Sequence, residues 1–159
     1  MKKWTPWLIA TLILAVLMHF VALQRLPAIV TERMLANIFN YAEDWEKNKV
    51  NQLFHGKLRV AGRDKVPMDN PDTITSFGFF DVSEHPLRIH CVVPRLDSYW
   101  SLTLFSWNTD NFFVINDLQT ASDTVEVVLK NAESSYVGQE GERVVVAPDE
   151  KGVILVRMI

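Results

Sequence analysis

Apolar residues crowd the front of the chain, and from Trp4 to Leu23 no charge interrupts them. Twenty helical residues at about 1.5 Å each span roughly 30 Å, the hydrocarbon thickness of a bilayer, so the run predicts one transmembrane helix. Beyond Pro27 the residues Met34, Leu35, Ile38, Ala42 and Trp45 recur at helical spacing, with Glu32, Arg33, Glu43 and Glu46 on other faces. This predicts a juxtamembrane amphipathic helix over about Ile29 to Lys47, ending near Asn48 to Asn51.

After residue 56 the helical period gives way to short apolar runs bounded by turn residues, the pattern of an all-β domain. Seven or eight strands are predicted: Lys57 to Ala61 (weakly patterned), Ile74 to Val82, Leu87 to Val93, Tyr99 to Ser106, Phe112 to Ile115, Val125 to Leu129, Arg143 to Ala147 and Val153 to Met158. Pro67 to Pro71, Ser83 to Pro86, Pro94 to Ser98, Asn108 to Asn111 and Pro148 to Gly152 separate them. The last of these reads as a hairpin loop, with Gly152 able to take positive φ. In Tyr99 to Phe105 the side chains of Trp100, Leu102 and Leu104 share one face, with Ser101 and Thr103 on the other. The fold class is an all-β sandwich-like domain of mostly antiparallel strands, preceded by the transmembrane helix and the amphipathic helix. The expected division is 1–26 anchor, 27–52 juxtamembrane helix and 53–159 β-domain.

The flanks of the apolar run agree with a bilayer. Lys2 and Lys3 precede it, Trp4 and Trp7 stand at interfacial depth, and Gln24 and Arg25 close the far end. A cleaved signal peptide shares the basic start, but no small-x-small step follows the run, which is longer than a signal core. The lysines and free amine before the span set the N-terminus in the cytoplasm and the C-terminal domain in the periplasm. His19 is the one ionisable group inside the span. Near its polar end, it can reach the interface or bond a neighbouring helix.

Composition changes this picture little. Without Lys2 and Lys3, 14 basic face 19 acidic side chains, and no basic run exists for phosphate, so nucleic acid is set aside. The single cysteine, Cys91, excludes an internal disulfide and a cysteine-based zinc knuckle; within Ile89 to Val93 it reads as a buried strand residue.

Candidate chemistry is sparse. His85 and His90 are five residues apart and project to opposite faces of an extended strand, so no metal is expected there. Asn108, Asp110, Asn111, Asn116 and Asp117 supply oxygens, but the calcium-loop spacing with its central glycine and terminal glutamate is absent. No Gly-x-Ser-x-Gly elbow or paired-carboxylate signature appears, and no cofactor is expected. The aromatic load is first of all core material. Trp107 and Phe113, at or beyond strand ends, are the members expected at the surface, and with Asn108, Asp110 and Asn111 they form the candidate ligand or partner surface.

Asp72 to Asp81, Pro86-Leu87-Arg88-Ile89, Tyr99-Trp100-Ser101-Leu102, Asn108 to Asp117 and Gly152 to Arg157 together resemble the short, membrane-anchored form of the bacterial family called domain of unknown function 1254. The resemblance implies a β-sandwich facing the periplasm from the inner membrane of a Gram-negative bacterium. It also implies a partner related to domain of unknown function 1214, and it brings no established catalytic residues. Short members often carry a cysteine ahead of an aromatic-Asp-Leu step. Here Phe79-Phe80-Asp81-Val82 keeps the aromatic and the acid while Gly78 takes the nearby place, so no redox or metal role passes to Cys91. The expected function is a noncatalytic module, held in the lipid bilayer, that binds another cell-envelope protein. The alternative is an envelope enzyme, or a binder of a lipid or glycan, using the aromatic loop.

Overall fold

The computed structural model describes residues 3–39, 50–55, 72–93, 98–120 and 122–159, with the side chains of 34–39 left aside. The weak strand predicted at Lys57 to Ala61 and the stretch Tyr41 to Lys47 of the amphipathic helix lie outside the described residues.

The front of the chain is one helix, α1, over Thr5–Phe39. Its stretch Thr5–Arg33 is long and apolar enough to cross a membrane. The transmembrane helix and the start of the juxtamembrane helix, expected as two elements, are continuous through Pro27. Proline lacks an N–H and crowds the carbonyl one turn back, so the cost falls on the Leu23 carbonyl while the flanking turns stay helical. Thr11 and Thr31 donate their hydroxyls one turn back, to the Trp7 and Pro27 carbonyls at 2.9 and 3.0 Å, so neither leaves a bare polar group on the helix.

Eight strands follow in two sheets. They are β1 Gln52–His55, β2 Ile74–Asp81, β3 Leu87–Val92, β4 Trp100–Ser106, β5 Asn111–Asn116, β6 Thr124–Lys130, β7 Arg143–Val146 and β8 Lys151–Met158. The large sheet has the order β1-β2-β8-β4-β5, with antiparallel neighbours throughout. The small sheet has the order β3-β6-β7, in which β6 and β7 run parallel. Seven of these strands fall where the alternation predicts them. β1 was not foreseen.

Alternation puts the two inner faces together as a β-sandwich. Phe80, Leu102, Leu104, Ile115 and Ile154 come from the large sheet and Ile89, Val125, Val127 and Leu129 from the small one, all in a single buried cluster. Full burial of such side chains is worth about 1.5–3 kcal/mol each, so this layer is the main stabilising term. Trp100, Leu102 and Leu104 do share the core face of β4, as their spacing requires.

Two local devices set the strand positions. Asn51, at φ +59°, donates its amide to the Asp81 carbonyl at 3.0 Å and accepts from the Asp81 N–H at 2.9 Å, continuing the β1–β2 ladder with a side chain. The hairpin expected at Pro148 to Gly152 does not form, because β7 lies in the small sheet and β8 in the large one, and Gly152 does not take positive φ; among the described glycines only Gly141 does, at +87°. Gly152 is needed for space instead, because a Cβ there would meet the Phe105 carbonyl oxygen at 2.2 Å and the Phe80 ring at 2.4 Å.

Candidate functional site

The predicted surface residues come together at the hairpin that joins β4 to β5. Ser106 donates its N–H to the Asp110 carbonyl at 2.9 Å, and Thr109 donates to the Ser106 carbonyl at 3.1 Å, closing the turn. Thr109 sits at φ +74°, a region that a β-branched residue enters only under constraint. The constraint is a ring of short-range bonds. Asn108 Oδ1 accepts from the Ser106 hydroxyl and from the Asp110 N–H, while Asn108 Nδ2 donates to Asp110 Oδ2 at 2.8 Å. Asn and Asp here perform the turn-making role that competes with ligand binding in any reading of such a loop.

The aromatic members are less open than their position at strand ends suggested. Trp107 is half-buried and its N–H donates to Asp149 Oδ2 at 3.1 Å, which ties this turn to the loop before β8. Phe113 is half-buried and packs on the core, as does Phe112, whose ring meets that of Phe80 edge-on at 6.2 Å. A register shift between Leu104 and Phe105 places a bulge in this hairpin, so Phe112 and Phe113 both lean on the core despite being adjacent. Val114, on the other face, is 44% exposed.

The far end of β5 is closed by a 3₁₀ turn, Asp117–Gln119. Asn116 Oδ1 accepts from the Leu118 N–H and Gln119 Oε1 accepts from the Asn116 N–H at 3.2 Å, a reciprocal cap. Asp110 and Asp117 therefore bracket a six-residue strand that contains no charge. Asp117 keeps one oxygen, Oδ1, buried without a donor. Among the described residues no strand pairs with the outer side of β5, which stands at the end of the large sheet.

The histidines and the cysteine do not converge. His85 lies exposed in the turn before β3, and His90 points outward from β3 to pair with Glu126 of β6. Cys91 is half-buried against the core; burial first, and the nearby Glu126 charge second, push its thiol up. Among the described residues no three His, Cys, Asp or Glu side chains gather as metal ligands.

Sequence reading missed a second polar cluster, Arg88–Tyr136–Glu142, because its members are brought together only by the chain crossing from β6 to β7. The Glu142 side chain, 4% exposed, accepts from the Tyr136 hydroxyl at 2.6 Å and the Gln139 N–H at 2.9 Å, and pairs with Arg88 at 2.7 Å. Lys130 Nζ donates to the carbonyls of Ser134 and Tyr136 at 3.0 and 2.9 Å. The Tyr136 hydroxyl, the Gln139 amide and Arg88 hold the Glu142 carboxyl below its ordinary range, and the bond to Glu142 raises the Tyr136 phenol. A carboxylate held ionised and a phenol held protonated make a clamp for the crossing rather than an acid–base pair.

Of the anchor residues named from sequence, Trp4, Trp7 and the aliphatic run between them and Leu26 are exposed, and His19 and Arg25 lie within α1. The His19 ring stands edge-on to Phe20 at 6.2 Å.

One apolar helix, long enough to be a candidate membrane span, is followed by a two-sheet β-sandwich. The chain belongs to the family described as Protein of unknown function (DUF1254), whose model matches residues 50–159. In structure it is similar to the VPA0106 protein from Vibrio parahaemolyticus, with a TM-score of 0.63 and 15% identity over 87% of this chain and 31% of that one. It is also similar to a putative uncharacterized protein from Burkholderia cenocepacia, with a TM-score of 0.51 and 17% identity over 73% of this chain and 34% of that one. The chain thus spans about a third of the length of these solved structures. No curated protein matches it.

Proposed function

We propose that the protein is a noncatalytic, membrane-anchored module of the cell envelope whose β-domain faces the periplasm and binds another envelope protein, a relative of domain of unknown function 1214. The observation that carries this reading is the contrast within the β4–β5 hairpin. Its Asn108 and Asp110 side chains bond within the turn, whereas the strand they lead into is uncharged and lies at a sheet end. A surface of that kind suits another polypeptide better than a small polar substrate. The span Thr5–Arg33 and the two lysines before it support an inner-membrane anchor with a cytoplasmic N-terminus. About two thirds of each solved relative lies outside the match.

Two measurements test the proposal. Alkaline phosphatase fused after Ile159 will be active, and an active cytoplasmic reporter with a silent phosphatase would overturn the orientation. Affinity capture from gently solubilised membranes will recover one envelope protein in near-stoichiometric amount. Recovery of the chain by itself under mild cross-linking would remove the partner reading.

A further inference from the structure

Edge strands expose unpaired N–H and C=O groups, and proteins blunt them with charge, proline or shortness. The ends of the two sheets here differ in that respect. β1 and β7 have four residues each, and β3 carries Arg88 and His90 between Pro86 and Pro94. β5 has six residues, Asn-Phe-Phe-Val-Ile-Asn, with no charge and no proline.

The direction of its backbone groups follows from one bond. Asn116 is the register partner of Ser101 on β4, yet its N–H is donated to the Gln119 side chain. That N–H is therefore turned away from β4. In an antiparallel ladder, residues alternate in facing the neighbour or the free side, so the N–H and C=O of Val114 also face the free side. Val114 is exposed, and the half-buried Phe112 and Phe113 lie at the same margin of the core.

We propose that the outer edge of β5, with which no strand pairs among the described residues, is a strand-docking site that takes an extended segment of the envelope partner, apolar in its centre and bearing Lys or Arg at its ends. The end charges come from Asp110 and Asp117, one at each end of the strand. The same pair disfavours a second copy as occupant. Antiparallel self-pairing that sets Val114 against Val114 of another copy sets Asp117 against Asn111, one position from Asp110, at both ends, and like charges brought together across a ladder repel. The inference rests on the partner-binding reading and names its surface.

The test uses the full chain in nanodiscs and fluorescein-labelled octapeptides of alternating Val and Thr, ending in Lys, ending in Glu, or ending in Lys with a central Pro. The Lys-ended peptide will bind at least several-fold more tightly than the Glu-ended one, and the Pro peptide will not bind. Asp110→Asn with Asp117→Asn will reduce the preference for Lys by roughly 2- to 5-fold per site, the range of exposed ion pairs. Val114→Pro removes only an outward N–H, so it will abolish binding with the melting temperature close to the parent's. Equal binding of Lys- and Glu-ended peptides, or full binding by Val114→Pro, would overturn the proposal. So would a parent dimer in sedimentation that Val114→Pro dissolves, which would make the occupant a second copy. If Val114→Pro still captures the envelope partner from membranes, the edge is wrong and the module reading stands. If the parent captures none, the module reading itself fails.

Discussion

Replacing Gly152 by alanine tests how tightly the middle of the large sheet is packed. Gly152 lies on β8 between Phe80 of β2 and Ser106 of β4. An added Cβ would stand 2.2 Å from the Phe105 oxygen and 2.4 and 2.5 Å from two atoms of the Phe80 ring, where ordinary contact begins at 3.4 Å. The methyl is thus roughly an ångström short of room on two sides. The first obstacle is backbone held in a ladder. The second is a ring wholly shut off from solvent, edge-on to Phe112. Overpacking of this kind costs about 1–3 kcal/mol, and a block on two sides places the cost near the upper end. Alanine recovers about 0.5 kcal/mol by restricting the unfolded chain, leaving about 2–2.5 kcal/mol of destabilisation. Urea unfolding of the full chain in detergent micelles, followed by tryptophan fluorescence, measures this. In a Phe80→Leu background the loss will shrink by about 1 kcal/mol, since half of the obstruction is gone. Gly141→Ala serves as the contrast. With φ at +87° and no atom within 4 Å, it will lose about 1–2 kcal/mol from backbone strain alone, with no coupling to Phe80. A Gly152→Ala protein with the parent's midpoint and slope would refute the steric account.

Three further outcomes follow from local geometry. Asn51→Ala removes both side-chain bonds to Asp81 and will cost about 1–3 kcal/mol, with faster hydrogen exchange at the Asp81 amide. Glu142 has a depressed folded-state pKa, so its contribution is complete above its unfolded value near 4.5 and is lost as pH falls through the folded value. Asp81 adds in the same sense, because the Ser83 and Lys151 interactions outweigh the opposing effect of burial. Melting temperature will therefore fall on acidification below about pH 5, and Glu142→Gln will flatten that fall while lowering stability at neutral pH. Cys91, raised by burial, will react slowly with iodoacetamide at pH 8 and rapidly once urea unfolds the chain; fast labelling of the native protein would contradict its position.

The strands that local pattern marks are those with an apolar run or an alternation of their own between turn residues. β4 and β6 carry strong apolar runs, and β8 follows a turn of Pro148, Asp149 and Glu150, so local pattern was enough for them. β1 is four residues with both ends exposed, and it exists because Phe77, Gly78 and Phe79 offer a ladder far along the chain. No window of sequence contains that partner. The span and the amphipathic pattern beyond Pro27 read as two helices because their periodic residues differ in character, yet the one hydrogen bond missing at Pro27 does not outweigh the turns on either side. Gly152 was legible as a glycine but not for its reason, since close approach of strands is a tertiary fact. The stretch Asn108 to Asn111 was legible as a break between two strands, while the bonding within its turn and the edge position of β5 depend on strand order. The Arg88–Tyr136–Glu142 clamp had no sequence signal, because its members are polar residues spread between β3 and the β6–β7 crossing.

The strand latest in the described β-domain is not at its margin. β8 is inserted between β2 and β4, pairing with both over nearly its whole length. Until residues 151–158 leave the ribosome and reach the domain, the large sheet is two separate pieces, β1-β2 and β4-β5, with their inner edges bare. Ladder formation must then bridge sequence separations of 70 to 84 residues on one side and 46 to 58 on the other, the long-range pairing that slows folding. A translation product halted before β8 would expose two unpaired edges and half a core, making it a substrate for chaperones and proteases rather than a shortened version of the domain.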